Sequence, residues 1–183
     1  MRERMSIHEI VLAETKPETE WILGRAVRKV SPFRTHALLQ LHIGGALRCW
    51  AENRGEAGSE WRFRPAPDGE IRRPLVPDIA YVSDARLAGL AGRDLEAPPF
   101  SPDVAVEIRS PDDRARNLEH KIAVYLATGS LLVIVVDPRD RSVLLHDANG
   151  IRVLQGDDII EHPAMPGFSL ALPALFAPLD RRR

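Results

Sequence analysis

Three residues of this chain have types and spacing that could do chemistry together: Asp78, Glu107 and Lys121. Asp78 follows Pro77 at the end of one apolar stretch, and Glu107 lies inside another, V-A-V-E-I at 104–108. Two carboxylates brought together on neighbouring strands make a hard oxygen site suited to Mg²⁺ or Mn²⁺. Such an ion polarises a phosphoryl oxygen and lowers the pKa of a bound water. Lys121 comes later, on a helix that can return over the same sheet end. An ammonium there would orient an attacking water or offset charge on a phosphate.

The elements that must position these residues are legible. Val104, Val106 and Ile108 alternate with Asp103, Ala105, Glu107 and Arg109, so the two sets face opposite sides of a strand. A polar turn follows, in which Asp112 and Asp113 after Pro111 supply capping oxygens and negative charge for a helix start. The spacing of Leu118, Ile122, Tyr125 and Leu126 predicts an amphipathic helix over 113–128, ended by Gly129. Lys121 borders that apolar stripe. It either extends its stem along the stripe to solvent or reaches into a polar pocket. The 25 basic residues include only three lysines, Lys16, Lys29 and Lys121. An arginine-biased chain that keeps a lysine in its most strongly patterned segment favours the pocket, because an ammonium is a compact point charge. A second apolar strand then runs to Asp137.

Around this unit the chain reads as a mixed set of elements. Trp21–Val30 gives two short strands around Gly24, and Ser31-Pro32 breaks the pattern. Leu39, Ile43, Leu47 and Trp50 give the buried stripe of a helix over 35–53. Gly55–Gly58 reads as a turn, Glu60–Arg64 as a strand, and Asp68-Gly69 as a hairpin signal. Leu75–Val82 is a strand interrupted by Pro77, and 85–99 is a connection with helical turns. Ser142–His146 and Ile151–Leu154 form a second hairpin. Short strands near 158–160 and 168–172 and a helix near 173–176 finish the chain. The fold class is α/β, a central mixed sheet flanked by helices.

At 183 residues the length suits one domain with a core of its own. A net charge of −1 does not announce nucleic-acid binding. The one cysteine, Cys49, forms no intrachain disulfide, and no Cys/His cluster has zinc spacing. No apolar run has the length of a bilayer span. These features point to a cytoplasmic protein without a membrane segment.

Several pieces of sequence share an order: E-W-I-L-G at 20–24, S-P followed by His36, P-D-I at 77–79 and V-E-I-R-S-P at 106–111. K-I-A-V-Y at 121–125, V-D-P at 136–138 and P-G-F at 166–168 complete them. Together they resemble a large bacterial family of restriction endonucleases of the Uma type, a branch of the PD-(D/E)XK nuclease superfamily. The resemblance implies a restriction-endonuclease-like core over 18–179, with an N-terminal extension at 1–17 and a basic tail at 180–183. It implies a metal-dependent endonuclease acting on DNA, with Asp78 and Glu107 as ligands of Mg²⁺ or Mn²⁺, and a homodimer. The usual superfamily signature puts a lysine two residues after the glutamate on the same strand. Here that place holds Arg109, and Lys121 matches a lysine that the Uma-type family has moved to the following helix. Lys121 is the preferred catalytic cation and Arg109 its rival.

Glu20 matches the family's early glutamate and either completes the metal shell or is a surface residue at a strand start. His36 opens a helix, where a plain surface position is the simpler reading and a phosphate or proton-transfer contact the functional one. Asp103 and Asp137 read as turn residues. The alternative function is a non-catalytic module of the same fold that binds nucleic acid or a protein. A hydrolase for another phosphate ester is a third reading.

Overall fold

The near-continuous apolar runs at 104–108 and 132–137, broken only by Glu107 and the terminal Asp137, have the pattern of strands covered on both faces. In the computed structural model they are the two central strands of a six-stranded mixed sheet. The structure describes residues 19–28, 33–111 and 115–180. The 1–17 extension, the Ser31-Pro32 break, the capping pair Asp112-Asp113 and the 181–183 tail lie outside the described residues.

The chain opens with a hairpin, β1 (Thr19–Ile22) and β2 (Arg25–Arg28). Its two turn residues, Leu23 and Gly24, have φ of 49° and 73°. Positive φ at both central positions is the type I′ geometry that matches strand twist. Helix α1 (Arg34–Ala51) follows, then strands β3 (Gly55–Ser59) and β4 (Ile79–Ser83). Two short helices, α2 (Asp84–Leu87) and α3 (Gly92–Glu96), lead to β5 (Val104–Ile108). Helix α4 (Ala115–Ala127) crosses to β6 (Leu132–Asp137). A hairpin of β7 (Ser142–Asp147) and β8 (Gly150–Leu154) comes next. A small pair, β9 (Ile159–Ile160) and β10 (Leu170–Ala171), and helix α5 (Leu172–Asp180) end the fold.

Strand order in the main sheet is β3-β4-β5-β6-β7-β8. Only β5 and β6 are parallel, with Glu107 opposite Val135. A parallel pair needs a crossover, and α4 supplies it. The two side-chain phases sort as the alternation predicts. Val104, Val106, Ile108, Ile134 and Val136 pack with Leu39, Ile43 and Leu47 of α1 and Leu175 and Phe176 of α5. Ala105, Val133 and Val135 pack with Ile122, Val124 and Tyr125 of α4. Glu107 shares this second phase, so its side chain lies on the α4 side of the sheet.

The strand expected at 60–64 does not form. Glu60 has a left-handed φ of 53°, and Phe63 makes only an isolated bridge with Leu75. The edge strand is instead 55–59, read from sequence as a turn. It pairs with β4 through its backbone, Ala57 opposite Tyr81. A ladder needs N–H and C=O groups rather than apolar side chains, so a small-residue segment serves. The strand expected over 75–82 is confined to 79–83, since Pro77 has no N–H to offer a ladder. The last helix runs to Asp180, well beyond 173–176, because Leu179 one turn after Leu175 packs against the same core.

Candidate active site

Several elements bring chemistry-bearing side chains to the same end of the sheet. The antiparallel register sets Ile79 opposite Val106. Continued by one residue, it sets Asp78 across from Glu107. Asp78 Oδ2 accepts from the backbone N–H of Ile108 at 2.7 Å and lies 3.0 Å from His36 Nε2. The Asp78 carbonyl accepts from Gln40 Nε2 at 2.9 Å, and Gln40 also reaches Glu60 Oε1 at 2.9 Å. His36 and Gln40 lie one turn apart on α1, on one helix face. Together they clamp Asp78.

Helix α4 supplies the cation. Lys121 Nζ is 2.7 Å from Glu107 Oε1 and 2.8 Å from Glu107 Oε2. It is also 2.8 Å from Glu20 Oε1. Glu20 Oε1 accepts from Val76 N–H at 2.9 Å, and Trp21 N–H donates to Pro74 O at 3.2 Å. These bonds dock the β1–β2 hairpin onto the segment that leads into Asp78. Tyr125, one turn after Lys121, donates its hydroxyl to Glu107 Oε1 at 2.8 Å.

The cluster is withdrawn from water. Glu20, His36, Asp78, Glu107 and Lys121 are each between 3% and 8% exposed. Burial opposes the charge of Lys121, but the carboxylates of Glu107, Glu20 and Asp78 outweigh it and raise the ammonium pKa above its ordinary value. Burial, and then the Glu107 and Glu20 carboxylates, push the Tyr125 phenol well above its usual range. Tyr125 therefore stays a donor at neutral pH.

The sequence-predicted residues thus divide. Asp78, Glu107, Lys121, Glu20 and His36 come together. Arg109 does not hold the same position: its guanidinium pairs with Asp137 and is 42% exposed. Two simpler readings are corrected. His36 is buried rather than a surface residue, because the first turn of α1 lies against Asp78. Glu20 is likewise buried at a strand start, because the hairpin folds onto 74–76. Asp137 does form a turn, accepting from the N–H groups of Arg139 and Asp140. Asp103 ties the sheet to α2 through Ser83 N–H and Arg86. Gln40 and the hydroxyl of Tyr125 escaped the sequence reading. The signal for each was its i+4 spacing from His36 and Lys121.

Among the described residues, no group of three or more His, Cys, Asp or Glu side chains is arranged to hold a metal ion. Mg²⁺ asks less of a protein: one or two carboxylates, with waters and substrate phosphates completing its shell. Asp78 and Glu107 meet that requirement in kind.

The sheet order, the crossover helix and the acids at the strand ends define an α/β protein of restriction-endonuclease-like fold. In structure the chain is similar to a protein from Anabaena variabilis described as "a putative nuclease belonging to DUF820". The TM-score is 0.81 at 24% identity, over 92% of this chain and 94% of that one. In sequence, residues 5–173 match the model of the Uma2 family, described as "Putative restriction endonuclease". The chain belongs to this family. No curated protein matches it in sequence. Among the described residues no helix is long and apolar enough to cross a membrane.

Proposed function

We propose that the protein is a Mg²⁺- or Mn²⁺-dependent endonuclease that hydrolyses DNA phosphodiester bonds and works as a homodimer. The observation that carries this reading is the buried ammonium of Lys121, held against Glu107 beside the clamped carboxylate of Asp78. Asp78 and Glu107 would hold the ion, which when bound supplies a Lewis acid and a water of lowered pKa. The chain's own residues prepare the rest. His36, Gln40 and the Ile108 N–H fix the orientation of Asp78. Tyr125 fixes one oxygen of Glu107. Lys121 provides positive charge where a phosphoryl transition state is negative, in a site with little water to screen it. Family membership supports a nuclease, and nuclease chemistry on a duplex favours two symmetric sites.

The test is nicking of supercoiled plasmid with Mg²⁺ or Mn²⁺ by the wild type and by Asp78→Ala, Glu107→Ala and Lys121→Ala. The wild type should cleave and the variants should not. Equal cleavage by wild type and Glu107→Ala would end the proposal. DNA retention without cleavage by the wild type would favour the non-catalytic module instead.

A further inference from the structure

Three buried carboxylates, Glu20, Asp78 and Glu107, surround one buried ammonium. His36 stands against Asp78, which leaves Lys121 as the partner of Glu107 and Glu20 among the contacts described. Lys121 has gone where the field most favours a cation, within 2.8 Å of both Glu107 oxygens and of Glu20 Oε1. Those Glu107 oxygens are the ones a divalent ion would need. An ammonium and a divalent cation on the same carboxylate repel each other strongly at this burial.

We propose that Lys121 is the resident cation of the metal-free site, and that it leaves Glu107 while keeping Glu20 when a divalent ion binds. The proposal rests on the reading of Asp78 and Glu107 as metal ligands. Its geometry supplies each part of the exchange. Lysine has a flexible four-carbon stem, so its head group moves without moving α4. Glu20 is fixed by the Val76 N–H and stands ready as the second partner. Tyr125 remains on Glu107 Oε1, so the carboxylate keeps a donor when the ammonium departs. Glu20 then acts as the dock of the displaced lysine rather than as a metal ligand. The displaced ammonium stays within the site, close to any phosphate that the ion recruits.

The test follows Lys121 directly. With three lysines in the chain, labelling lysine with ¹³Cε and ¹⁵Nζ gives three side-chain signals, and Lys121→Met identifies the one of interest. Titrating the metal-free wild type with Mg²⁺ should move the Lys121 signal saturably and leave those of Lys16 and Lys29 in place. By calorimetry, Lys121→Met should bind Mn²⁺ about tenfold more tightly than wild type or better, since a competing positive charge is gone. Lys121→Gln serves as the second neutral variant should the methionine variant fold poorly. Mg²⁺ binding without movement of the Lys121 signal would overturn the proposal. So would neutral variants that bind Mn²⁺ no more tightly, or a wild type that binds neither ion. Exchange at Lys121 in a protein that never cuts DNA would uphold the proposal and defeat the nuclease reading. Cleavage with a motionless Lys121 would do the reverse.

Discussion

Glu107 accepts from Lys121 and Tyr125, two residues one helical turn apart on α4. Removing the carboxylate removes the proposed ligand, and Glu107→Ala should lower plasmid nicking about 10³-fold or more. Tyr125→Phe keeps the ring in the core but deprives a buried carboxylate of a donor. It should cost about 1–3 kcal/mol in chemical denaturation and reduce nicking by a smaller factor than Glu107→Ala. A second residue-scale prediction concerns His120, next to Lys121 in sequence. Its Nε2 lies 3.0 Å from Arg73 Nη1, and Arg73 is 2% exposed. Arginine only donates, so His120 accepts there as neutral imidazole. Burial, and then the charge of Arg73, lowers its pKa from the ordinary 6.5. The unfolded chain therefore takes up this proton at higher pH than the folded chain does. The stability that His120 contributes is full above about pH 6.5 and is lost as pH falls toward the folded value. Melting temperatures across this range should fall on acidification, and less steeply in His120→Gln. Part of the slope should persist, because burial lowers the pKa of His146 as well.

At the scale of elements, the site depends on pieces with few side-chain anchors of their own. Strand β3 is the clearest case. Gly55 has φ of 156°, and a Cβ there would lie 2.1 Å from the carbonyl oxygen of Val82. Gly55→Ala should therefore detach the edge strand locally and cost about 2 kcal/mol or more in thermal denaturation. Gly58→Ala is the control. Its Cβ would meet the Trp61 ring at 3.6 Å, an ordinary contact, and the melt should barely move. Helix α1 also reaches the candidate site, besides burying its apolar stripe. Its first two turns hold Asp78 through His36 and Gln40. Gln40→Ala releases the Asp78 carbonyl and should weaken Mn²⁺ binding while leaving the far-ultraviolet circular dichroism unchanged, a result that calorimetry and dichroism together would check.

For the whole molecule, sedimentation at micromolar concentration should report a particle of two 20.4 kDa chains; a lone chain would count against the homodimer. At this scale the division between sequence and fold is plain. The β5–α4–β6 unit was legible because its signals are local. Alternation fixes which strand residues share a face, and the spacing of Leu118, Ile122 and Tyr125 fixes which side of α4 is buried. Those two periodicities gave the face of each residue, the scarcity of lysine favoured a pocket for Lys121, and the fold set it against Glu107. The spacing of P-D-I and V-E-I added Asp78. Other features were decided by contacts between residues far apart in the chain. His36 reads as a surface residue at a helix start, and only the packing of α1 against the sheet end buries it on Asp78. Glu20 meets Lys121 because backbone bonds dock the hairpin at 74–76. Strand β3 replaced the apolar segment after it because an exposed β4 edge selects backbone groups, which every residue but proline offers and no side-chain pattern records. Periodicity encodes which face of an element is buried. The partner that buries it is chosen by the closure of the whole chain.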